Sequence, residues 1–314
     1  MNFAHPNLCE SCGQLDHKKT EEEGQTVFYY CSHKKTWLQN KEKCPSYQGE
    51  TNFIDVAIIT TTEIERTAIK KHFRNVSVWE TREHNGQRSW QTNFSIDQPK
   101  GSLRIALVQS PLMGLPAAAT TATKLCYLYD PSLLIMGGIT AGNPADTHYG
   151  DIVVPRQLFD YGAGKWDGDR FIPNADPFPI HQEVLCLCRE IADDESFLNR
   201  NKTEWSGPTP NDRIAPKVIT ERVAVSGAAV ISQTGIWETL KNRNKDIVAL
   251  DMEAFAIQYV AAQVPTEYPK VLIAKSVCDY ARDKNDSAQP YAAYTSARFI
   301  EEFINRYAKQ LLGS

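Results

Sequence analysis

Three acidic residues on widely separated segments are placed to share one cleft and to carry out acid–base chemistry. Glu65, Glu253 and Asp279 each follow an apolar run that is typical of a buried strand or that opens a helix. Ligands of α/β sheets bind outside the strand ends, where side chains from distant segments meet. We therefore expect these carboxylates to converge, as a general acid and a general base must.

Glu253 also fits a second chemical role, because it follows Asp251 and Met252 where an apolar helix opens. A carboxylate can bind both hydroxyls of a vicinal diol such as the 2′ and 3′ hydroxyls of ribose, while the methionine packs on the sugar. Acids in the first turn also stabilise the helix dipole by about 0.3–1 kcal/mol, which is the purely structural interpretation.

Residues 136–142 follow an apolar strand and contain three glycines. Glycine lets the backbone approach a ligand closely with its N–H groups towards it, so Gly138 and Thr140 are candidate substrate contacts. The segment lacks the lysine of a P-loop and the spacing of a dinucleotide-binding fingerprint, which excludes both. A tight strand connection is the structural alternative.

Hydrophobic patterns predict the elements that position these residues. Apolar, β-branched runs predict strands, which we place at 53–59, 103–108, 133–136, 152–154 and 271–274. Helical spacing is found from residue 63 and over 116–129 and 181–192. Alternating strands and helices predict a three-layer α/β/α domain with a mixed central sheet.

Composition limits the class of protein and its partners. The 314 residues carry a net charge of −4, so no broad basic field favours nucleic acid, and a small-molecule partner is expected. No stretch approaches the ~20 apolar residues of a membrane span, and the first residues lack a signal-peptide pattern, which predicts a cytoplasmic protein. We divide the chain into a cysteine-rich module, 1–50, and a catalytic domain, 51–314.

The module at the start of the chain has the spacing of a structural zinc site. Cys9 and Cys12 are separated by two residues, and the expected ligand set is completed by Cys31 and Cys44, for which His33 competes. Zinc would organise a segment that has too little apolar content to fold alone. Unbound thiols in a loose tail are the alternative. Docking of a protein or nucleic-acid partner is an alternative role for this module.

Several motifs together resemble a known superfamily. They lie at 58–65, 137–142, 149–154, 225–230, 251–254 and 276–279. Their order is that of the nucleoside phosphorylase superfamily, and they look most like its hydrolase branch, the methylthioadenosine/S-adenosylhomocysteine nucleosidases. The resemblance covers about residues 53–312. It implies release of adenine from an adenine nucleoside or nucleotide, no organic cofactor, and a homodimer or larger homo-oligomer.

The resemblance also implies a role for each motif residue. Glu65 would activate water, Asp279 would protonate the purine at N7, and Met252 and Glu253 would hold the ribose. Further substrate contacts are expected from Gly138, Thr140, Val230, Ile231 and Cys278. Cleavage of an N-glycosidic bond builds positive charge on the sugar and negative charge on the base, so these roles agree with the chemistry.

Three alternatives to a nucleoside hydrolase remain open. A phosphorylase needs a phosphate site, for which Arg66 and Arg104 are candidates, although a carboxylate at Glu65 would repel phosphate. Similar proteins with extra modules include immune-defence effectors that attack adenine nucleotides, so AMP or ATP depletion is the second alternative. Its phosphate contacts would come from Lys165, Lys275 and Arg282. The third is a catalytically silent nucleoside-binding or signalling module.

Overall fold

The computed structural model describes residues 15–23, 26–31, 36–38, 54–96, 100–210, 215–264, 269–282 and 286–312. Its contacts divide the chain into two compact units, Met1–Phe53 and Ile54–Ser314. In the part of the chain that the structure describes, no helix has both the length and the apolar character needed to cross a membrane.

The first unit contains a small antiparallel sheet. Its strands are β1 (Leu15–Glu23), β2 (Thr26–Cys31) and β3 (Thr36–Leu38), paired in that order. Cys31 is the last residue of β2. The other expected zinc ligands, Cys9, Cys12, Cys44 and the competing His33, lie outside the described residues.

The second unit is built on one mixed sheet of 12 strands. These are β4 (Val56–Thr60), β5 (Glu80–His84), β6 (Gln87–Ile96), β7 (Gly101–Gln109), β8 (Leu133–Gly142), β9 (Ile152–Val153), β10 (Gln157–Asp160), β13 (Phe178–Pro179), β14 (Val218–Ile219), β15 (Val223–Ser226), β16 (Ile247–Asp251) and β17 (Lys270–Asp279). A separate two-stranded sheet pairs β11 (Gly164–Asp167) with β12 (Arg170–Pro173).

Seven α-helices are described in the second unit. They are α1 (Glu63–His72), α2 (Leu115–Tyr129), α3 (Gln182–Ala192), α4 (Glu195–Thr203), α5 (Ile236–Lys241), α6 (Ala254–Gln263) and α7 (Gln289–Leu312). Helices α1 and α7 pack together, as do α2 and α6, and both pairs contact the sheet. The mixed sheet with helices packed against it confirms the predicted α/β class.

The centre of the sheet explains why its strands are continuous apolar runs. The order across it is β13-β10-β15-β16-β8-β4-β7-β6-β5, and β17 pairs with β8 and β9. Strand β4 is parallel to β7 and β8, whereas β16 is antiparallel to β8. Every residue of β4 is buried, as expected for a strand covered on both faces.

The glycine-containing segment 136–142 belongs to a strand, although its composition is typical of a turn. Strand β8 continues through it to Gly142, because β17 pairs in parallel with it from Leu133 to Ala141. The glycines are needed for close packing: a Cβ on Gly137 would lie 2.5 Å from Ile300 Cδ1 of α7. Residues 137–142 therefore belong to the central sheet itself.

Candidate active site

The Glu65 carboxylate is held at the point where β4 passes into α1. Thr62 caps the helix and forms a capping box with Glu65. Oε2 accepts hydrogen bonds from the N–H groups of Thr61 and Thr62, both at 2.8 Å, and Oε1 accepts one from Ile139 at 2.8 Å. A carboxylate has about four acceptor directions, so one remains on Oε1 for a further donor.

A buried lysine brings three carboxylates together. Lys275, on β17, is only 3% exposed. Its Nζ lies 3.8 Å from Glu65 Oε1, 3.6 Å from Asp251 Oδ2 and 3.7 Å from Glu253 Oε2. With all four groups ionised, the cluster carries a net charge of −2, formed by three negative charges and one positive charge.

Asp251 and Glu253 are positioned by the start of α6. The Asp251 carboxylate accepts hydrogen bonds from Ala254 N–H and from the Ser226 hydroxyl, the latter at 2.5 Å. Glu253 is the N-cap residue, and its Oε1 accepts a hydrogen bond from Gly114 N–H at 2.9 Å. The first turn of α6 and the loop before α2 therefore orient the two acids.

The electrostatics of the cluster follow from burial and from the close charges. Burial raises the pKa of the Glu253 carboxyl, although the Lys275 ammonium acts in the opposite direction. Burial alone would lower the pKa of Lys275, but the charges of its three carboxylate partners outweigh this effect and hold the pKa above its ordinary value. The lysine is thus a fixed cation in the site.

Asp279 is the last residue of β17, four positions beyond Lys275. Its Oδ1 accepts a hydrogen bond from Ala281 N–H at 2.7 Å. The Tyr149 and Tyr280 rings pack beside it with centroids 4.6 Å apart, and burial followed by the Asp279 charge raises the pKa of Tyr149. Asp279 therefore lies beside aromatic side chains at the end of β17.

Sheet register connects Asp279 to the carboxylate cluster. Ala141 of β8 pairs with Asp279 on one side and with Leu250, the neighbour of Asp251, on the other. The structure thus brings Glu65 and Glu253 into one cluster through Lys275 and places Asp279 at the end of β17, the strand that carries Lys275.

The segment after β15 borders Asp279. Ile231 packs in the small apolar cluster that includes Ala141 and Ala281. Gln233 N–H donates a hydrogen bond to Ala281 C=O at 3.0 Å, which fixes this segment beside the end of β17. Val230 is 55% exposed, so it lies at the surface.

The remaining expected substrate contacts have structural partners. The N–H of Gly138 donates to Ser296 Oγ, and the Thr140 hydroxyl donates to Leu250 C=O at 2.9 Å. The buried Cys278 thiol lies 3.7 Å from Asp279 Oδ2, and Met252 is half-buried next to Glu253. The N–H groups of Gly138 and Ile139 therefore donate to Ser296 and Glu65 and are not directed at a ligand.

Lys275 has a different environment from the one that the sequence suggested. The sequence makes it a candidate contact for a 5′ phosphate, but it is buried among three carboxylates. A lysine that follows four apolar strand residues is itself a signal, because a charge in a buried strand must have charged partners. Which carboxylates these are could not be found from the sequence.

The candidate phosphate ligand Arg66 is also engaged elsewhere. It donates to Gln109 Oε1 at 2.7 Å and pairs with Glu63, and its guanidinium lies over the Trp90 ring.

Within the described ranges, no group of three or more His, Cys, Asp or Glu side chains is placed to hold a metal ion.

Comparison with known proteins places this architecture in a family. Residues 55–312 match the sequence profile of the phosphorylase superfamily. The chain is 28% identical over 277 residues to the uncharacterized protein y4jS of Sinorhizobium fredii, and the match covers 85% of this chain. The chain spans 65% of the length of that relative.

Solved structures share the fold at low sequence identity. Futalosine hydrolase of Helicobacter pylori is 19% identical with a TM-score of 0.61, and the match covers 80% of this chain and 97% of that chain. The 5′-methylthioadenosine/S-adenosylhomocysteine nucleosidase of Neisseria meningitidis, in complex with methylthio-immucillin-A, is 19% identical with a TM-score of 0.58, covering 80% and 98%. Because the sequence profile spans nearly all of the second unit, the chain belongs to the phosphorylase superfamily.

Proposed function

We propose that this chain hydrolyses the N-glycosidic bond of an adenine nucleoside and releases adenine. The observation that carries the proposal is the buried cluster of Glu65, Asp251 and Glu253 around Lys275, whose net charge is −2 when all four groups are ionised. Positive charge develops on the sugar when this bond breaks, and a fixed negative environment stabilises it where water is excluded.

The same cluster favours water over phosphate as the attacking group. A phosphate that approached the ribose would meet an excess of two negative charges at low dielectric, where repulsion between charges is strong. The only cation in the cluster is already matched by its three carboxylates, and Arg66 is engaged by Gln109 and Glu63. Hydrolysis is therefore favoured over phosphorolysis.

The proposed reaction uses one base and one acid. Glu65 accepts a proton from water through the open direction on Oε1 as the water oxygen bonds to C1′ of the ribose. The bond from C1′ to N9 of the purine breaks, and its electron pair passes to the base, which Asp279 protonates at N7. Glu253, beside the half-buried Met252, binds the ribose hydroxyls. The reaction starts with Asp279 protonated and Glu65 ionised and yields the free ribose derivative and neutral adenine. It leaves Glu65 protonated and Asp279 ionised, so Glu65 releases one proton to solvent and Asp279 takes one up before the next turnover.

An uncharged 5′ substituent is favoured over a phosphate. Lys275, a candidate for phosphate binding, is held by carboxylates. By contrast, Leu112 and Met113 are exposed and apolar, and they directly precede Gly114, whose N–H donates to Glu253. The names of the solved relatives, which include a futalosine hydrolase and methylthioadenosine/S-adenosylhomocysteine nucleosidases, agree with a nucleoside substrate.

The test is chromatographic detection of free adenine from adenosine, methylthioadenosine, S-adenosylhomocysteine, AMP and ATP, with and without phosphate. We expect release from nucleosides at a rate independent of phosphate. Release from AMP or ATP alone would support a nucleotide-depleting effector, and strict dependence on phosphate would support a phosphorylase. No release from any of them would contradict the proposal and favour a binding module.

Two isosteric variants connect the activity to the site. Glu65→Gln should bind substrate but not cleave it, because the amide cannot accept the proton of water. Asp279→Asn keeps an oxygen for the Ala281 N–H but cannot supply a carboxyl proton, so adenine release should fall at least 100-fold. Near-normal turnover in either variant would remove that residue from the mechanism.

A further inference from the structure

A buried cation at the centre of the site takes no direct part in the chemistry proposed above. Lys275 is 3% exposed, and its ammonium lies between 3.6 and 3.8 Å from three carboxylates that come from α1, β16 and the start of α6. Glu65 is distant in sequence from Asp251 and Glu253, which are separated from each other only by Met252. The lysine lies within 4 Å of all three acids.

We propose that Lys275 is a positioning residue that keeps Glu253 ionised and holds the Glu65 and Glu253 carboxylates in place in the free enzyme. Where catalysis is the readout, this inference rests on the proposed function; the stability measurements described below do not depend on it.

The geometry explains why the acids need a cation. Three carboxylates that share a buried space repel one another, and burial further disfavours their charged forms. An opposite charge within about 4–6 Å lowers a carboxyl pKa by about 1–3 units, and Lys275 satisfies this distance for all three acids. Without the ammonium, the pKa of Glu253, which burial already raises, would rise further.

The kinetic test compares Lys275→Met with Lys275→Arg across pH. Methionine is an unbranched side chain one atom shorter than lysine and removes the charge, whereas arginine keeps the charge. In Lys275→Met, we expect the acid limb of the kcat/KM profile to move to higher pH by about one unit or more, which is about a tenfold loss on that limb. Lys275→Arg should keep the limb near that of the native protein. An unchanged limb in the methionine variant would overturn the proposal.

A second test does not require activity. If the acids of Lys275→Met take up protons, their pKa in the folded protein exceeds the unfolded value, so the folded state binds more protons than the unfolded state. Its unfolding midpoint should therefore fall as pH rises from about 5.5 to 8, relative to the native protein. A pH dependence identical to that of the native protein would contradict the proposal, even if no substrate is ever found.

A charge-compensated variant covers the case in which Lys275→Met does not fold. The double variant Lys275→Met/Glu253→Gln removes one positive and one negative charge and restores the net charge of −2. We expect it to recover a cooperative unfolding transition where Lys275→Met has none, and to have a higher unfolding midpoint where both variants fold. If the double variant is no more stable than the single one, the charge pairing is not what the lysine provides, and the proposal fails.

Discussion

Replacing Gly138 with alanine tests how the sheet positions the Glu65 carboxylate. Gly138 has φ +147°, a conformation that other residues rarely adopt, and a Cβ there would lie 2.5 Å from Glu65 Cδ. An ordinary van der Waals contact begins near 3.4 Å, so the carboxyl group would have to move by about 1 Å. That movement would pull Oε1 away from Ile139 N–H, which now donates at 2.8 Å.

The expected cost has two parts. Backbone strain at an unfavourable φ contributes about 1–3 kcal/mol, and loss of a hydrogen bond to a charged group contributes about 1.5–3 kcal/mol. The free energy of unfolding should therefore fall by about 2.5–6 kcal/mol in Gly138→Ala. Because a 1 Å misplacement of a reacting group can reduce the rate about 100-fold, adenine release should fall by a similar factor.

Gly86→Ala is the matched control. Gly86 has φ +71° in the turn between β5 and β6, and nothing lies within 4 Å of an added Cβ. It should lose about 1–3 kcal/mol from backbone strain alone and keep full turnover. Urea denaturation and initial rates on both variants give the comparison. The reasoning is refuted if Gly138→Ala is no less stable than Gly86→Ala and retains native turnover.

Three other predictions concern titration and metal. Because burial raises the pKa of Glu253 above 4.5, kcat/KM should rise with pH through an ionisation above that value. An acid limb of the kcat/KM profile at or below pH 4.5 would contradict this prediction. Burial, aided by neighbouring positive charges, lowers the pKa of His72 from 6.5 to about 4. The contribution of the neutral His72 to the free energy of unfolding is therefore fully present above pH 6.5 and is lost as pH falls towards 4. His72→Phe should flatten that dependence in calorimetric scans, while retention of the full slope would assign it to other groups. The native chain should contain one zinc ion per molecule by elemental analysis, and Cys12→Ser should lose it; an equal zinc content in both would exclude this cysteine as a ligand.

The elements around the site could be predicted because each has a local cause. Apolar β-branched runs specify strands covered on both faces, and the strands predicted at 103–108 and 271–274 are found within β7 and β17. Glu65 and Asp279 lie at element ends, as the sequence indicated, because a polar residue that follows an apolar run marks where the chain leaves the core.

Tertiary structure alone decided which groups meet. The glycines of β8 have the composition of a turn, but the long parallel pairing with β17 keeps them in a strand, and that pairing depends on residues about 140 positions away. Likewise, the sequence shows a lysine at 275 but not its partners. Only the fold brings Glu65, Asp251 and Glu253 to within 4 Å of its ammonium, because contacts between distant segments depend on how the whole sheet assembles.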